Sequence, residues 1–468
     1  MVAVSRRAVR EYHSGIIAIT AIIVPPALMT DPGARPFTTA QRVQAMLAVE
    51  VALAEALAEA GVIPAASVPS IRAAARGEAY DLGALADAAV EAGNLLIPLV
   101  GALRQRVAKT DPAAAGHVHW GATSQDVIDT ALVLHLRVAV TTVLASLDRA
   151  ADGAADLARR HVATQVAGRT WLQQATPTTF GAKAAGWLDG LAGARVRLAA
   201  ALDEALVVQF GGATGTLASL GPAAPAVAAA LGARLGLRVP DIPWHTERGR
   251  LVAVACALGM TCGTLGKIGR DLALLAQTEV GEVTEPTTAG RGISSSMPHK
   301  RNPVAAALAV AAAVQAPGLV ATMLAAMPQE HERALGGWQA EWDTLPALVD
   351  LAARSSAAMA ATLPHLVVHE HRMRANLDAE GGVARAEGLV AALAPTLGRA
   401  EAVTLVERVC AQVLADGGTL ADRAGDEPRI VQALGRAGIG TALAPGSFAG
   451  ASALFVQRVL ARWQRLKE

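Results

Sequence analysis

The most informative stretch of this sequence is GRGISSSMPHKRNPV, residues 290–304. It places three consecutive serines beside glycines and follows them with Lys300, Arg301 and Asn302, in a chain otherwise rich in alanine and leucine. Glycines make a loop mobile, and mobile loops often close over ligands. Serine hydroxyls, backbone N–H groups and basic side chains all bind anions. A solvated loop with a serine helix cap needs only one of these residues, so the whole stretch predicts a catalytic loop that closes on a polyanionic substrate.

The composition predicts a helical protein without a global charge field. Hydrophobic residues make up 53% of the 468 residues but aromatic residues only 3%, which suits helices packed on small side chains. A formal net charge of +1 gives no broad basic surface for nucleic acid or membranes, so any anion site must be local. The odd number of cysteines, Cys256, Cys262 and Cys410, indicates reduced thiols in a compartment such as the cytoplasm.

Apolar residues at helical spacing predict an all-α fold. The predicted helices cover residues 48–61, 125–165, 183–207, 248–280 and 304–327, the last one bent at Pro317. Strand signals are poor, because no run of β-branched residues alternates with polar ones and no strand-like runs flank an Asn-Gly turn.

Breaks in this pattern predict three helical parts behind an N-terminal extension. The parts are an N-terminal domain at 29–117, a central helical bundle at 118–364 and a C-terminal domain at 365–468. Residues 1–28 contain a basic region and the apolar run GIIAITAIIV, but two prolines follow at once without a convincing cleavage site. We therefore expect a disordered extension or a non-native start rather than an export signal.

Residues 304–327 form a long uncharged segment that could span a bilayer by length. The segment is rich in alanine and contains Gln315 and Pro317. A helix that is apolar all round can also be the buried centre of a large bundle, and we favour that interpretation over a membrane span. Helices this apolar would expose too much surface in a monomer, which predicts oligomerisation.

Another polar island is HVHWGATSQDVIDT, residues 117–130. Thr123 and Asp126 have the spacing of a helix capping box. The functional alternative is that Thr123 and Ser124, at a helix start, bind a carboxylate, with His117 and His119 beside them.

Two further islands carry weaker signals. GRTWLQQATPTTFG, residues 168–181, predicts either a polar loop with a helix cap or a site that uses Gln174 and Thr176. QFGGATGT, residues 209–216, predicts turns, and PWHTERGR downstream offers His245 and Arg248 as a candidate substrate-facing pair. No metal-ligand spacing, phosphate-binding glycine motif or Gly-x-Ser-x-Gly is present, and we expect no cofactor.

Together these islands resemble the fumarase/aspartase superfamily. SSSMPHKRNP is similar to its Ser-Ser-x-Met-Pro-x-Lys-x-Asn signature, and WGATSQD and QQATPTTFG fall in the order of its other active-site regions. PWHTERGRLV and MPQEHERALGGWQAEW extend the resemblance to one branch, the bacterial 3-carboxy-cis,cis-muconate cycloisomerases. The resemblance runs from about residue 37 to the C-terminus.

The resemblance implies three mostly helical domains with a central five-helix bundle, in a homotetramer whose active sites are each shared by three subunits. It also implies lactonisation of a small tricarboxylate, in which a substrate carboxylate adds to a diene next to another carboxylate. Negative charge would then build on carboxylate oxygens and require fixed donors. No cofactor, nucleic acid or membrane partner is implied.

The resemblance assigns roles residue by residue. Ser294 would transfer the carbon-bound proton, with Lys300 stabilising its alkoxide and holding a substrate carboxylate together with Asn302. The remaining candidate substrate-binding residues are Thr123, Ser124, Gln174, Thr176, His245, Arg248, Ser295 and Arg301.

Position 174 departs from the pattern of many superfamily members, which have histidine there. Glutamine cannot shuttle a proton, but a carboxylate nucleophile or leaving group is stable as an anion and needs none. Gln174 therefore suits a cycloisomerase better than a lyase that expels an amine. The alternatives are an adenylosuccinate-type lyase, which should carry a phosphate site, and a catalytically silent helical oligomer.

Overall fold

The computed structural model of the protein describes residues 37–286 and 292–468, and helices dominate it. The α-helices, in chain order, are α1 Thr39–Glu59, α2 Ser67–Ala74, α3 Leu82–Ala92, α4 Leu96–Ala108, α5 Pro112–Ala115, α6 Ser124–Arg160, α7 Phe180–Ala205, α8 Ala224–Leu235, α9 Gly249–Leu275, α10 Val304–Ala325, α11 Gly337–Thr362, α12 Glu370–Asp378, α13 Ala386–Leu397, α14 Arg399–Asp416, α15 Leu420–Asp426, α16 Pro428–Ala442 and α17 Ser452–Lys467. The all-α prediction and the five predicted helices are confirmed. The predicted extension at 1–28 lies outside the described residues.

One prediction about secondary structure was wrong, because two strands form a hairpin where a polar loop was expected. Strands β1 Gln165–Thr170 and β2 Gln173–Thr179 pair antiparallel, and β3 Val283–Thr284 pairs with β4 Val367–Val368. The turn of the first hairpin uses Trp171 and Leu172, with φ values of 52° and 65°. Two-residue hairpin turns with positive φ usually contain Asn or Gly, so this turn left no signal in the sequence.

Contacts divide the chain into two discontinuous units. The first unit comprises Met1–Ala145, Arg195–Gly263 and Ala312–Ala357, and the second comprises Ser146–Ala194, Thr264–Ala311 and Ala358–Glu468. The three-domain division stays a prediction, because it follows breaks along the sequence and not these contacts.

In the first unit, α1 begins with a capping box. The Thr38 hydroxyl accepts a hydrogen bond from the Gln41 N–H, and the Gln41 side chain accepts one from the Thr38 N–H, which satisfies two free donors of the helix start. The apolar face of α1 packs against α8, and Arg234 of α8 pairs with the carboxylates of Glu55 and Glu59. Helix α6, which starts at Ser124, contacts both helices: His135 Nε2 lies 3.1 Å from the Gln41 carbonyl oxygen, and Arg137 Nη1 donates to the Leu235 carbonyl at 2.9 Å.

In the second unit, the C-terminal helices form a compact apolar cluster of their own. Its fully buried members are Leu389, Leu393, Ala402, Leu405, Val409, Leu420, Ala424 and Ile430. The helix that precedes this cluster in the chain, α12, contacts strand β1 of the β1–β2 hairpin.

Three of the described helices, α6, α9 and α10, are long and apolar enough to cross a membrane by length and composition alone. The most apolar windows of α6 and α9 are 72% and 61% buried, but that of α10 is only 28% buried. The expectation that α10 is the buried centre of a bundle is therefore not met within one chain. Pro317 lies inside this helix.

Candidate active site

The signature loop of the second unit holds Ser294 beside two backbone donors. The N–H groups of Met297 and Ser296 lie 3.1 and 3.4 Å from Ser294 Oγ and donate to it. Donors aimed at a hydroxyl oxygen stabilise the alkoxide that forms when the proton leaves. The arrangement can therefore support proton transfer by a serine, which is otherwise a poor acid or base.

Backbone contacts close the ends of this loop. The Asn302 N–H donates to the Gly292 carbonyl at 2.9 Å, and Ile293 forms an antiparallel bridge with Arg301. Gly292 has φ of +72°, and a Cβ there would lie 2.6 Å from the Asn302 carbonyl oxygen. Only glycine fits this position without strain. Gly290 lies outside the described residues.

The polar side chains of the loop are open to solvent. Lys300, Arg301 and Asn302 line a cavity of about 810 Å³ together with residues from the end of α9 and from β3. The Lys300 and Ser295 side chains are exposed, and Arg301 Nη1 donates to the Pro298 carbonyl at 3.0 Å. Lys300 and Asn302 are therefore accessible to a ligand in this cavity.

The start of α10 is capped by a side chain from outside the signature loop. The Glu285 carboxylate accepts hydrogen bonds from the N–H groups of Ala305 and Ala306 at 3.0 and 2.8 Å. Pro303 directly precedes the helix. The positive end of the helix dipole is thus occupied by a side chain of the protein.

The β1–β2 hairpin places Gln174 next to α12. Gln174 is exposed, and its Nε2 donates to the Asn376 carbonyl at 3.1 Å. Asn376 Nδ2 in turn donates to Oε1 of the buried Glu282 at 2.8 Å, and Arg169 of β1 forms a two-pronged ion pair with the same carboxylate. The amide of Gln174 is therefore oriented by a network that reaches the C-terminal helices.

Two other hairpin residues differ sharply in exposure. Thr176 is half-buried within β2, where the register of the two strands shifts by a bulge. Trp171 at the tip is 96% exposed. A large aromatic side chain held in solvent on a strained turn is available for contact with another molecule.

In the first unit, Thr123 and Ser124 lie half-buried at the start of α6. The Thr123 N–H donates to Asp126 Oδ2 at 3.1 Å, which is one half of the predicted capping box. Asp126 also accepts hydrogen bonds from the Gly211 and Gly212 N–H groups at 3.1 and 2.8 Å. The two hydroxyls make no hydrogen bond with any described residue, so they are free to bind a ligand.

Arg248 does not have the predicted role. Its guanidinium group is fully buried between Asp129 and Glu341, with Nη1 2.7 Å from Asp129 Oδ2 and Nε 2.9 Å from Glu341 Oε1. Burial alone would lower the pKa of Arg248, but the two carboxylates outweigh it and raise that pKa. A guanidinium group whose N–H donors are occupied by two buried carboxylates does not contact a substrate. The assignment of Arg248 as a substrate-binding residue is therefore wrong.

The pKa values of two histidines of the first unit are shifted in opposite directions. His245 is 9% exposed, and desolvation by burial lowers its pKa. Burial also opposes the charged form of His119, but Glu50, whose Oε1 lies 2.6 Å from His119 Nδ1, outweighs it and raises the pKa of His119. His119 has φ of 62°, an uncommon backbone state for a side chain. Only His245 was predicted as a site residue.

Arg333 is a candidate functional residue that sequence reasoning missed. Its Nε donates to the Ala213 carbonyl at 3.1 Å, its Nη1 to Gln125 Oε1 at 2.8 Å, and its Nη2 to the Gly212 carbonyl. Its side chain is still 25% exposed. The stretch MPQEHER contributed only to the family resemblance. No residue spacing in it identified Arg333 as an accessible cation.

Comparisons with known proteins agree with this geometry. A family model described as lyase matches residues 28–318. A 3-carboxy-cis,cis-muconate cycloisomerase of Pseudomonas aeruginosa is 49% identical over 94% of this chain and 95% of its own length, and a nitrosuccinate lyase of Streptomyces davaonensis is 43% identical over 89% of both chains. The crystal structure of the 3-carboxy-cis,cis-muconate lactonizing enzyme from Pseudomonas putida, at 44% identity, covers 96% of this chain and matches 99% of its own with a TM-score of 0.88. The chain therefore belongs to this lyase family and is an enzyme of the fumarase/aspartase superfamily.

Proposed function

We propose that this enzyme converts 3-carboxy-cis,cis-muconate to 4-carboxymuconolactone, in the β-ketoadipate pathway of protocatechuate breakdown. Three relatives with this cycloisomerase name are 46–49% identical to the chain over at least 86% of its length. The observation that carries the proposal is the position of Ser294 Oγ, which receives two backbone N–H groups. That geometry suits a reaction whose only external proton transfer is to carbon.

The chemistry balances with one proton taken up from water. One carboxylate oxygen of the substrate forms a C–O bond with a diene carbon, and the π electrons move onto the carbon next to another carboxylate. This carboxylate carries the charge until the Ser294 hydroxyl delivers its proton to that carbon, which leaves an alkoxide held by the N–H groups of Ser296 and Met297. A proton from water then restores the serine hydroxyl. Intramolecular attack requires orientation above all.

The open side chains would provide that orientation. Lys300 supports the alkoxide and, with Asn302, holds one carboxylate, since both line the cavity of the signature loop. The free hydroxyls of Thr123 and Ser124 bind a second carboxylate. Arg333 replaces Arg248 as the cation of the first unit, because it is exposed and Arg248 is not. Ser295, Thr176, His245 and Arg301 remain candidates for further substrate contacts.

Gln174 favours a reaction in which the nucleophile or leaving group is a stable anion. Its side-chain N–H already donates a hydrogen bond to the Asn376 carbonyl. An amide cannot transfer a proton to a departing amine. A second candidate function shares this property. Elimination from a nitrosuccinate-like substrate, suggested by the nitrosuccinate lyase at 43% identity, would expel an anion that also needs no acid.

We also propose that the enzyme is a cytoplasmic homotetramer with each active site shared by three subunits. The support is α10, where Val314, Leu324 and Leu308 are 69%, 49% and 41% exposed within one chain. Burial of this apolar face against other copies of the chain would remove it from water. No nucleic acid or membrane partner is part of this proposal. Light scattering of the purified protein should give the mass of four chains, and a stable monomer would contradict the assembly.

The function is tested by ultraviolet absorbance with purified enzyme and 3-carboxy-cis,cis-muconate. Lactonisation breaks the conjugated diene, so absorbance falls with wild type and much more slowly with Ser294→Ala. General acid catalysis contributes roughly 100- to 10,000-fold, and the variant should lose a factor in that range. A wild type that leaves the absorbance unchanged overturns the proposal, and nitrosuccinate and adenylosuccinate are then the substrates to assay.

A further inference from the structure

A line of hydrogen bonds in the first unit connects the buried ion pairs of Arg248 to the accessible Arg333. Arg248 lies between the carboxylates of Glu341 and Asp129, and Gln125 links Asp129 to Arg333. All of these groups except Arg333 are at most 3% exposed. The line thus runs from a fully buried anchor to the one member that reaches solvent.

The orientation of the Gln125 amide is fixed by what its neighbours can accept or donate. Nε2 lies 3.1 Å from Asp129 Oδ2 and 2.7 Å from the His245 carbonyl, and neither of these oxygens can donate when Asp129 is ionised. Oε1 lies 2.8 Å from Nη1 of Arg333, which can only donate. A reversed amide would place donors against donors and acceptors against acceptors, so Asp129 and the His245 carbonyl together determine which end of Gln125 faces Arg333.

Gln125 is the side chain that holds Nη1 of Arg333, while other groups hold the rest of the guanidinium. The carbonyls of Gly212 and Ala213 accept from Nη2 and Nε, and Oδ1 of the buried Asp126 lies 3.6 Å from Nη2. The two carbonyls and Gln125 use three of the five N–H donors, Asp126 faces Nη2, and the second N–H of Nη1 stays available to an anion. An arginine that is oriented before binding loses less side-chain freedom when a carboxylate arrives.

We infer that Gln125 is a positioning residue that orients Arg333 for a substrate carboxylate, with Asp129 and the His245 carbonyl setting the direction of its amide. This inference rests on the proposed function for the role of Arg333. It assigns to the buried Arg248 an indirect part, because Arg248 holds the Asp129 carboxylate in place. Removing the amide should weaken substrate binding more than it slows the chemical step.

The chain offers a matched control for this idea. Gln329 donates from Nε2 to Oε1 of Glu341 at 3.0 Å, on the other side of the same arginine. Its Oε1 has no hydrogen-bond partner in the described structure. Gln125→Met and Gln329→Met therefore each remove one amide donor to one carboxylate of the Arg248 ion pairs, and only the first removes a bond to Arg333.

The test measures kcat and KM for wild type, Gln125→Met, Gln329→Met, Arg333→Met and the double variant Gln125→Met/Arg333→Met. We expect Gln125→Met to raise KM about tenfold, the loss typical of one hydrogen bond to a charged group. Gln329→Met should leave KM within about twofold of wild type. In the double variant KM should match that of Arg333→Met alone, because the effect of Gln125 passes through Arg333.

Several outcomes overturn the inference. Equal KM changes in both glutamine variants would show a general effect of the ion-pair cluster, and additive changes in the double variant would show that Gln125 acts independently of Arg333. If Gln125→Met does not fold, Gln125→Asn, which shortens the amide, is measured in its place with the same expectation. A wild type inactive on 3-carboxy-cis,cis-muconate overturns the proposed function alone, and the same ratios are then measured with the substrate that the wild type does turn over.

Discussion

The signature loop of the second unit and the charge cluster of the first unit hold their functional groups in different ways. In the loop, the Ser294 hydroxyl is held by main-chain N–H groups, while Lys300 and Ser295 extend into solvent. In the cluster, Arg248 and its two carboxylates are fully buried and satisfy one another. The loop keeps its charge available for a ligand, whereas the cluster uses its charge to hold the protein in shape.

The largest expected effect distinguishes the buried Arg248 of the cluster from the exposed Arg301 of the loop. Arg248→Met leaves two buried carboxylates without their cation, which should lower the free energy of unfolding by about 3–5 kcal/mol. Arg301→Met, in the exposed loop, should change it by about 0.5 kcal/mol at most. Denaturant unfolding of both variants gives the comparison. Similar stabilities for the two would show that burial of Arg248 does not matter.

The second prediction concerns the lysine of the loop. Lys300→Met should lower kcat/KM by about 100-fold or more, because a fixed cation near the alkoxide and the substrate carboxylate is lost. The side chain is exposed, so the unfolding midpoint should stay near that of wild type. The measurements are the absorbance assay and denaturant unfolding. A large loss of stability would instead place Lys300 among the structural charges.

The third prediction is a pH dependence that arises from burial in the first unit. Desolvation lowers the pKa of His135 from 6.5 to about 4, and its Nε2 contacts the Gln41 carbonyl. Between pH 6.5 and 4, His135 therefore binds a proton in the unfolded chain but not in the folded chain. The free energy of unfolding falls as the pH decreases through this window, by on the order of 3 kcal/mol at most. His135→Gln should lose less stability over the same window. Parallel curves for both proteins, from unfolding at several pH values, would contradict this assignment.

The smallest expected effect tests the backbone of the signature loop. Gly292→Ala introduces a Cβ that would lie 2.6 Å from the Asn302 carbonyl oxygen at a φ of +72°. Forcing an alanine into this conformation costs about 1–2 kcal/mol, which should misplace Ser294 and lower kcat about tenfold. Gly101→Ala, within α4, serves as the control for an added methyl group, because no atom lies within 4 Å of a Cβ built there. Equal activity of both variants would mean that the bridge at Gly292 does not position the serine.

The sequence predicted the parts of the molecule that depend on local pattern. The long helices followed from apolar spacing, and the dense polar motif at 290–304 marked the signature loop. The roles of Ser294 and Lys300 follow from the family resemblance and stay predictions. The role of Arg248 was wrong because its partners lie 119 and 93 residues away in sequence. Polar residues around an arginine do not reveal whether it faces water or a buried carboxylate.

Two other results depend equally on tertiary context. The β1–β2 hairpin was missed because Trp171 and Leu172 take a conformation usually adopted by Asn and Gly. Arg333 was missed because its position is set by main-chain carbonyls of a distant glycine loop, which leave no pattern of side chains. The cause is a long-range contact for Arg333 and, for the hairpin, a turn conformation that its residue types rarely adopt.

Glu285 has a consequence for how selectivity in this fold could change. Its carboxylate already fills the N-terminus of α10 and lines the same cavity as Lys300. The protein thus carries an internal competitor for the main-chain anion site at the start of this helix. A single substitution that removed this competitor would open a vacancy for a phosphate or an additional carboxylate, so Glu285 marks a short evolutionary route from a tricarboxylate to a more highly charged substrate.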